Sequence, residues 1–207
     1  MDFCIRDPKT GEFTPVTGRS ALLPVTETAH LHIRAQVSQP AYLCLAWVDQ
    51  SGTPYAIYPW REPTIDWGSP ADFKLQTTFS YPDTALTGGR PLVAQGPAGL
   101  ETLVLLVRRQ KPDPALLLRL PTLLKVPAIN GKGTRSDELV RSAFKGRPAA
   151  AKPAVSERTP VLAGSLNPVH ALHERLWKNL GEHFDQMVMV SFPNAGQAEP
   201  RRKGAMK

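Results

Sequence analysis

The feature that most constrains the fold is a change of pattern along residues 30–48, HLHIRAQVSQPAYLCLAWV. From His30 to Val37 apolar and polar side chains alternate strictly, which predicts a strand with one solvent-exposed face. From Ala41 to Val48 both faces are apolar, and such a strand belongs in the middle of a sheet. Ser38-Gln39-Pro40 is predicted to end the first strand before the second begins. The segment therefore predicts a sheet built around a buried central strand.

Further short strands are predicted on both sides of this segment. A turn at Asp49 to Gly52 leads into a returning strand, Tyr55 to Tyr58. Alternation predicts another strand over Phe73 to Ser80, Leu100 to Arg108 is the most apolar candidate, and Glu12 to Val16 is expected at an edge. Because the chain also has 21 prolines and many Gly/Pro turns, an antiparallel β-sandwich is favoured over a helical bundle.

A few short helices accompany these strands. Asp113 to Leu120 and Thr122 to Val126 are predicted as separate helical turns broken by Pro121, and Ser136 to Lys145 as an isolated helix. A C-terminal helix follows Asn167-Pro168, and Asp185 to Phe192 is predicted to be a strand. The apolar stripe of that helix consists of Val169, Leu172, Leu176, Leu180 and Phe184. The predicted class is thus mainly β with a C-terminal helix and strand.

The sequence predicts that the chain is divided into four segments. Residues 1–126 are predicted to form the β-sandwich module, and residues 127–165 a basic, Pro/Ala-rich flexible linker that contains the short helix. Residues 166–196 are predicted to be a helix–strand element that docks on the sandwich, because it is too small to be stable alone. Residues 197–207 form a basic tail that is expected to be disordered.

The net charge of +7 is concentrated outside the predicted core. Residues 1–120 contain eleven Lys/Arg and eleven Asp/Glu, whereas residues 121–160 contain eight and three. A basic linker is typical of a solubilising tether, and nucleic-acid binding stays open as an alternative. Its contacts would come from Lys132, Arg135, Arg141, Lys145, Arg147, Lys152, Arg201, Arg202 and Lys203.

The N-terminal residues and the cysteines favour a cytoplasmic protein. MDFCIRDPKTGEF has acids and a proline where a secretory signal needs a basic start and an apolar run. Cys4 and Cys44 are too few for a disulfide framework and are expected to be reduced thiols. No run of about 18 apolar residues is present, so no membrane interaction is expected.

No catalytic or metal-binding residues are predicted. His30 and His32, and likewise His170 and His173, can share a face, but neither pair has a third ligand nearby in sequence. Cys44 lies between leucines, where burial would suppress the thiolate that a nucleophile requires. No cofactor is expected, and a hydrolase using Cys44 or the histidine pairs is the weakest of the hypotheses.

A group of aromatic residues is the most informative candidate for a binding site. Its four aromatic members lie within thirteen residues, Tyr55 to Trp67, and charged side chains are interspersed among them. Aromatic residues with a polar group are typical of ligand and peptide grooves, but they also close the end of a small sandwich. Both interpretations stay open, with the core more favoured. The candidate binding residues are Tyr55, Tyr58, Trp60, Arg61 and Trp67.

The order of these motifs resembles a bacterial β-rich domain-of-unknown-function family. The resemblance covers residues 28–109 and rests on Pro40-Ala41-Tyr42, the Asp49 to Gly52 turn, Tyr58-Pro59, and Gly96 to Gly99 before an apolar strand. The family is found as an accessory module beside caspase-like peptidases, serine/threonine kinases and tetratricopeptide repeats. Residues 166–196 are similar to a C-terminal region of planctomycete type. The resemblance implies no catalytic residues.

The expected function is a non-catalytic protein-interaction or regulatory module of a bacterial signalling, stress or defence system. The partner implied by the resemblance is a separate protein, for example a peptidase, a kinase or a sigma factor encoded nearby. Two alternatives stay open beside it. One is a nucleic-acid-binding accessory protein that uses the basic linker and tail. The other is a small-ligand or peptide sensor that uses the aromatic group.

Overall fold

The computed structural model describes residues 2–7, 10–16, 25–26, 28–60, 63–68, 70, 73–94, 96–127 and 168–195. The strands are β1 Asp2–Arg6, β2 Phe13–Pro15, β3 His30–Val48, β4 Pro54–Tyr58, β5 Gln76–Tyr81, β6 Leu92–Val93, β7 Gly99–Arg108 and β8 Gln186–Asn194. The helices are α1 Thr84–Thr87, α2 Pro114–Leu124 and α3 Pro168–Leu180. None of these helices has both the length and the apolar character needed to cross a bilayer.

The eight strands form one curled, antiparallel sheet. Its main path runs β2-β1-β3-β7-β8, and β4, β5 and β6 each pair with β3. The predicted class, mainly antiparallel β with a C-terminal helix and strand, is confirmed. The finer prediction of a two-layer sandwich stays a prediction. Strand β3 is shared by the two parts of the sheet, since β1 and β5 pair with its first half and β7 pairs with its second half.

The central strand β3 is longer than predicted. Ser38-Gln39-Pro40 does not end it, because the strand runs unbroken for 19 residues. Its first half pairs with β1, β5 and β6, and its second half lies between β4 and β7. The register with β5 shifts between Gln36 and Ala41, and an irregularity of this kind tolerates a proline that cannot donate to the ladder.

Two smaller differences concern the N-terminal strand and β5. Residues Asp2–Arg6 form β1 between β2 and β3, a strand that the sequence analysis did not predict. Its Phe3 is buried and stacks on Phe192 with ring centroids 4.8 Å apart. β5 begins only at Gln76, so the predicted strand started too early, and Leu75 is 55% exposed.

Helix α2 is continuous through Pro121, so the two predicted helical turns are one helix. The Asp113 side chain caps it by accepting a hydrogen bond from the Leu116 backbone N at 2.6 Å. A proline inside a helix removes one backbone hydrogen bond, but the turns on both sides are anchored by buried leucines. Those leucines are Leu116, Leu117, Leu120 and Leu124.

Two apolar clusters lie on opposite faces of the sheet. Leu43, Leu45 and Trp47 of β3 point into the curl, and we call the cluster there the inner core. Cys44, Ala46 and Val48 point the other way, into a cluster covered by α2 and α3, which we call the outer core. The doubly apolar pattern of β3 is therefore explained by burial on both faces.

The C-terminal helix and strand are integral to this arrangement. Strand β8 pairs with β7 from Gly99↔Asn194 to Val107↔Gln186. Helix α3 buries Leu172, Leu176 and Leu180 in the outer core. It also contacts α2, where the Asn179 Nδ2 donates to the Leu123 carbonyl at 3.0 Å. The predicted apolar stripe packs as expected, although the helix ends at Leu180 and Phe184 follows a turn.

Candidate functional site

The structure divides the predicted aromatic group among three places. Trp60 and Trp67 are each 3% exposed and belong to the outer core. Their rings meet edge-on with centroids 5.3 Å apart, and Phe73 packs against Trp60. Neither indole N–H has a hydrogen-bond partner among the described residues. These two tryptophans have the surroundings of packing residues. Arg61 lies outside the described residues.

The two tyrosines of the group lie away from the tryptophans, and each borders a different pocket. Tyr58 is buried in the inner core against Phe79, with ring centroids 4.9 Å apart, and its hydroxyl accepts from the Gln76 Nε2 at 3.2 Å. It borders a polar depression of about 870 Å³ on β5, whereas Tyr55 borders a different pocket beside β7. The predicted residues therefore do not form one site.

The pocket beside Tyr55 has the strongest features of a binding site. Its volume is about 570 Å³, and its lining combines aromatic rings, prolines and three charged side chains. We call it the Glu101 pocket. The lining residues are Trp47, Asp49, Tyr55, Pro63, Tyr81, Thr87, Arg90, Pro91, Leu92, Val93 and Glu101.

Glu101 is a fully buried carboxyl group in this pocket, at 1% exposure. The Trp47 indole N–H donates to its Oε2 at 2.6 Å, and the Asn194 Nδ2 donates to its Oε1 at 3.3 Å. Burial raises the pKa of Glu101, because the charged form loses its hydration, and the charge of Asp49 adds to the rise. The two donated hydrogen bonds act in the opposite direction and hold the carboxyl in place.

Three neighbouring strands bring these groups together. Leu103, Leu105 and Val107 of β7 face the inner core. Glu101 lies two residues before Leu103, so its side chain is on the same face of the strand. Trp47 of β3 is paired with Leu103, and Asn194 of β8 is paired with Gly99. Leu103 and Gly99 are each two residues from Glu101 along β7. Glu101 was not among the predicted site residues, because residues 100–108 have the pattern of a uniformly apolar strand. The available signal was a lone acid at an inward position of that strand.

Asp49 and Arg90 add further charge to the pocket. Asp49 lies in the β3–β4 turn, where its Oδ1 accepts from the backbone N atoms of Ser51 and Thr53, both at 2.9 Å. The pKa of Tyr55 is raised by burial first and then by the charge of Asp49. Arg90 is exposed. The pocket thus has two carboxyl groups and one guanidinium.

One histidine of each pair has a hydrogen-bonding role in the structure. His32 Nε2 is 3.0 Å from the Ser80 Oγ, and its ring packs on Phe13. His173 Nε2 is 2.9 Å from the Ser191 Oγ, which is 2.8 Å from the Thr102 Oγ1. Burial lowers the pKa of His173. Within the described ranges, no three His, Cys, Asp or Glu side chains gather as metal ligands would.

The remaining candidates are the cysteines and the basic segments. Cys4 and Cys44 are free and buried. Cys44 is 1% exposed, and burial raises its pKa far above the ordinary range, which leaves no thiolate for nucleophilic chemistry at neutral pH. The nine basic residues of the nucleic-acid alternative all lie outside the described residues, so that alternative stays a prediction.

No protein-family model matches this chain, and no curated protein or solved structure matches it. The resemblance to a β-rich accessory domain therefore stays a prediction, and the functional argument depends on the geometry of the Glu101 pocket.

Proposed function

We propose that this protein is a non-enzymatic binding module of the regulatory kind and that its recognition site is the Glu101 pocket. The site would take a small ligand or a side chain presented by a partner protein. The single observation that carries the proposal is the buried Glu101 carboxyl, held by Trp47 and Asn194 at the wall of a pocket of about 570 Å³.

The energetics of Glu101 support a role in recognition. Burying a carboxyl group costs folding free energy even when hydrogen bonds compensate in part. An apolar side chain at this inward position of β7 would avoid that cost. A buried ionisable group with a shifted pKa in a pocket is typical of a functional site. The cost is thus explained if Glu101 recognises a ligand.

The shape and the lining of the pocket support the same role. Small-ligand sites are concave, largely apolar, and have a few polar groups that fix the orientation of the ligand. Trp47, Tyr55 and Tyr81 supply aromatic surface, while Asp49 and Glu101 supply the polar groups. The rigid strands β3, β4 and β7 hold most of these side chains, so little ordering would be needed on binding.

A screen of small fragments by NMR tests the proposal. The indole N–H of Trp47 donates directly to Glu101, so a ligand in the pocket is expected to shift its resonance. The other three tryptophans serve as internal references, since Trp60 and Trp67 lie in the outer core and Trp177 lies on α3. Replacing Trp47 with Phe assigns the signal.

A matched pair of variants locates the binding. Val93→Trp is expected to fill the pocket and abolish the shift, because Val93 lines it. Leu75→Trp adds the same bulk at an exposed position outside the pocket lining and is expected to leave binding intact. If no fragment shifts the Trp47 signal, or if Val93→Trp binds as well as the wild type, the pocket is not the recognition site.

A further inference from the structure

We propose that the Glu101 pocket selects cations and binds an ammonium group, carried either by a small amine or by a lysine side chain of a partner. This inference rests on the proposed function, since it names the ligand class of the same pocket. It depends on the placement of charge, on unused hydrogen-bond acceptors and on the aromatic lining.

The negative and positive groups of the pocket differ in their exposure to solvent. Glu101 is fully buried, whereas Arg90 is exposed, where water and salt screen its charge. Asp49 adds a second carboxyl group to the lining. The interior of the pocket is therefore negative once Glu101 is ionised, and an anionic ligand would be repelled from it.

The hydrogen bonds of Glu101 leave room for a cation. A carboxylate offers roughly four acceptor positions on its two oxygens. Trp47 donates to one oxygen and Asn194 to the other, and no further donor among the described residues occupies the remaining acceptor positions. An ammonium group has three N–H donors and no acceptor, which matches this arrangement. Bonds between an ammonium and a carboxylate are also about twice as strong as bonds between neutral groups.

The aromatic lining supports the same ligand. Trp47, Tyr55 and Tyr81 border the pocket, and the negative faces of aromatic rings attract ammonium groups in sites that exclude water. The hydrocarbon next to an ammonium group would contact Pro91 and Leu92, which also line the pocket. A short alkylammonium is thus complementary to both parts of the lining.

Three ligands with the same four-carbon chain test the inference: n-butylammonium, n-butanol and butyrate. We expect n-butylammonium to shift the Trp47 indole signal and to bind at least about tenfold more tightly than the other two, as expected for a hydrogen bond to a charged group. Equal or tighter binding of butanol or butyrate would overturn the cation inference while leaving the pocket as a recognition site. If other fragments shift Trp47 but n-butylammonium does not, the inference is likewise overturned.

Two variants remove the charges one at a time. Glu101→Gln keeps an acceptor for Trp47 if the Asn194 amide turns, and we expect about tenfold weaker binding of n-butylammonium. Asp49→Asn keeps the Oδ1 that the turn requires and should weaken binding less. Arg109→Gln removes a charge from an exposed side chain outside the pocket lining, so it is the control and should leave binding unchanged. Unchanged affinity in both carboxyl variants would contradict the inference.

The wild-type protein supplies a test that needs no variant. Affinity for n-butylammonium should rise as the pH increases through the raised pKa of Glu101, because only the carboxylate is an anionic partner. Asp49, Tyr55 and Arg90 are the other charged or titratable groups of the lining, and the raised pKa of Tyr55 keeps its hydroxyl protonated at neutral pH. If the affinity for n-butylammonium falls or stays constant as the pH increases, the inference is contradicted.

A peptide comparison distinguishes the two sources of the ammonium group. Acetyl-Gly-Lys-Gly-amide presents a lysine side chain, and the same peptide with norleucine is its uncharged match. Tighter binding of the lysine peptide than of n-butylammonium would identify a protein side chain as the source. Binding of n-butylammonium with no binding of the peptide would identify a small amine. Both results support the cation inference, and binding of the norleucine peptide alone would overturn it.

Discussion

The inner and outer faces of the central strands use the same kind of residue in different ways. On the inner face, the Trp47 indole donates to a buried carboxyl beside a pocket. On the outer face, Trp60 and Trp67 pack against each other and have no acceptor among the described residues. Tryptophan is thus part of a polar site in one case and of a packed core in the other. The difference lies in the partner of the indole N–H, which clustering in sequence does not reveal.

The largest expected effect comes from weakening the outer core. Leu176→Ala removes a fully buried side chain of α3 and should lower the free energy of unfolding by about 2–5 kcal/mol, since a cavity replaces the lost contacts. Urea denaturation measures this change. If the two faces have separate roles, the folded variant still binds at the Glu101 pocket with unchanged affinity. A loss below about 0.5 kcal/mol would mean that α3 is not part of the core.

A matched pair of substitutions compares the two faces directly. Trp47→Phe and Trp60→Phe make the same chemical change, but only the first removes a hydrogen bond to a buried carboxyl. Trp47→Phe should therefore destabilise the protein by about 1–3 kcal/mol more than Trp60→Phe at pH 8. Denaturation of both variants in the same buffer measures the difference. Equal losses would mean that the Trp47–Glu101 hydrogen bond contributes no net stability.

The pH dependence of stability isolates Glu101. Its folded pKa is raised, so the unfolded chain releases this proton first, near the ordinary value of about 4.3. Between the two pKa values the folded state binds more protons, and stability falls as the pH rises. Glu101→Gln should lack this fall. Thermal denaturation of both proteins from pH 4 to 8 gives the difference curve, and a flat difference would contradict the raised pKa.

The smallest expected effect lies outside both cores. The exposed Arg109 side chain is 3.0 Å from the Asp185 Oδ1 between β7 and the turn before β8. Water screens such a pair, so Arg109→Gln should cost less than about 1 kcal/mol. The Asp185 Oδ2 also accepts from the Arg109 backbone N at 2.7 Å, a bond that the substitution keeps. A loss comparable to that of Leu176→Ala would show that this corner, and not the outer core, anchors α3 and β8.

The fold was largely predictable because its main signals are periodic. The doubly apolar half of β3, the leucine-rich β7 and the stripe of α3 each require burial, and the structure buries them. Local breaker signals were less reliable. Pro40 and Pro121 were predicted to end elements. A shift in the β3–β5 register accommodates Pro40, and buried leucines on both sides of Pro121 hold α2 together.

The candidate site was only partly predictable. Tyr55 was named from the sequence, whereas Glu101, Trp47 and Asn194 come from three strands that are distant along the chain. Their contact depends on the register of β3, β7 and β8, which periodicity alone does not determine. Of these three residues, Glu101 could have been predicted from the sequence, because a lone acid at an inward position of an apolar strand requires a buried partner.

An NMR titration of the Trp47 indole N–H signal with pH shows whether a buried carboxyl group lies at the centre of the pocket. We predict a shift with a midpoint clearly above about 4.3, the ordinary pKa of glutamate, and no such shift in Glu101→Gln. A midpoint at or below that value, or the same titration in the variant, would contradict a buried carboxyl at the centre of the site.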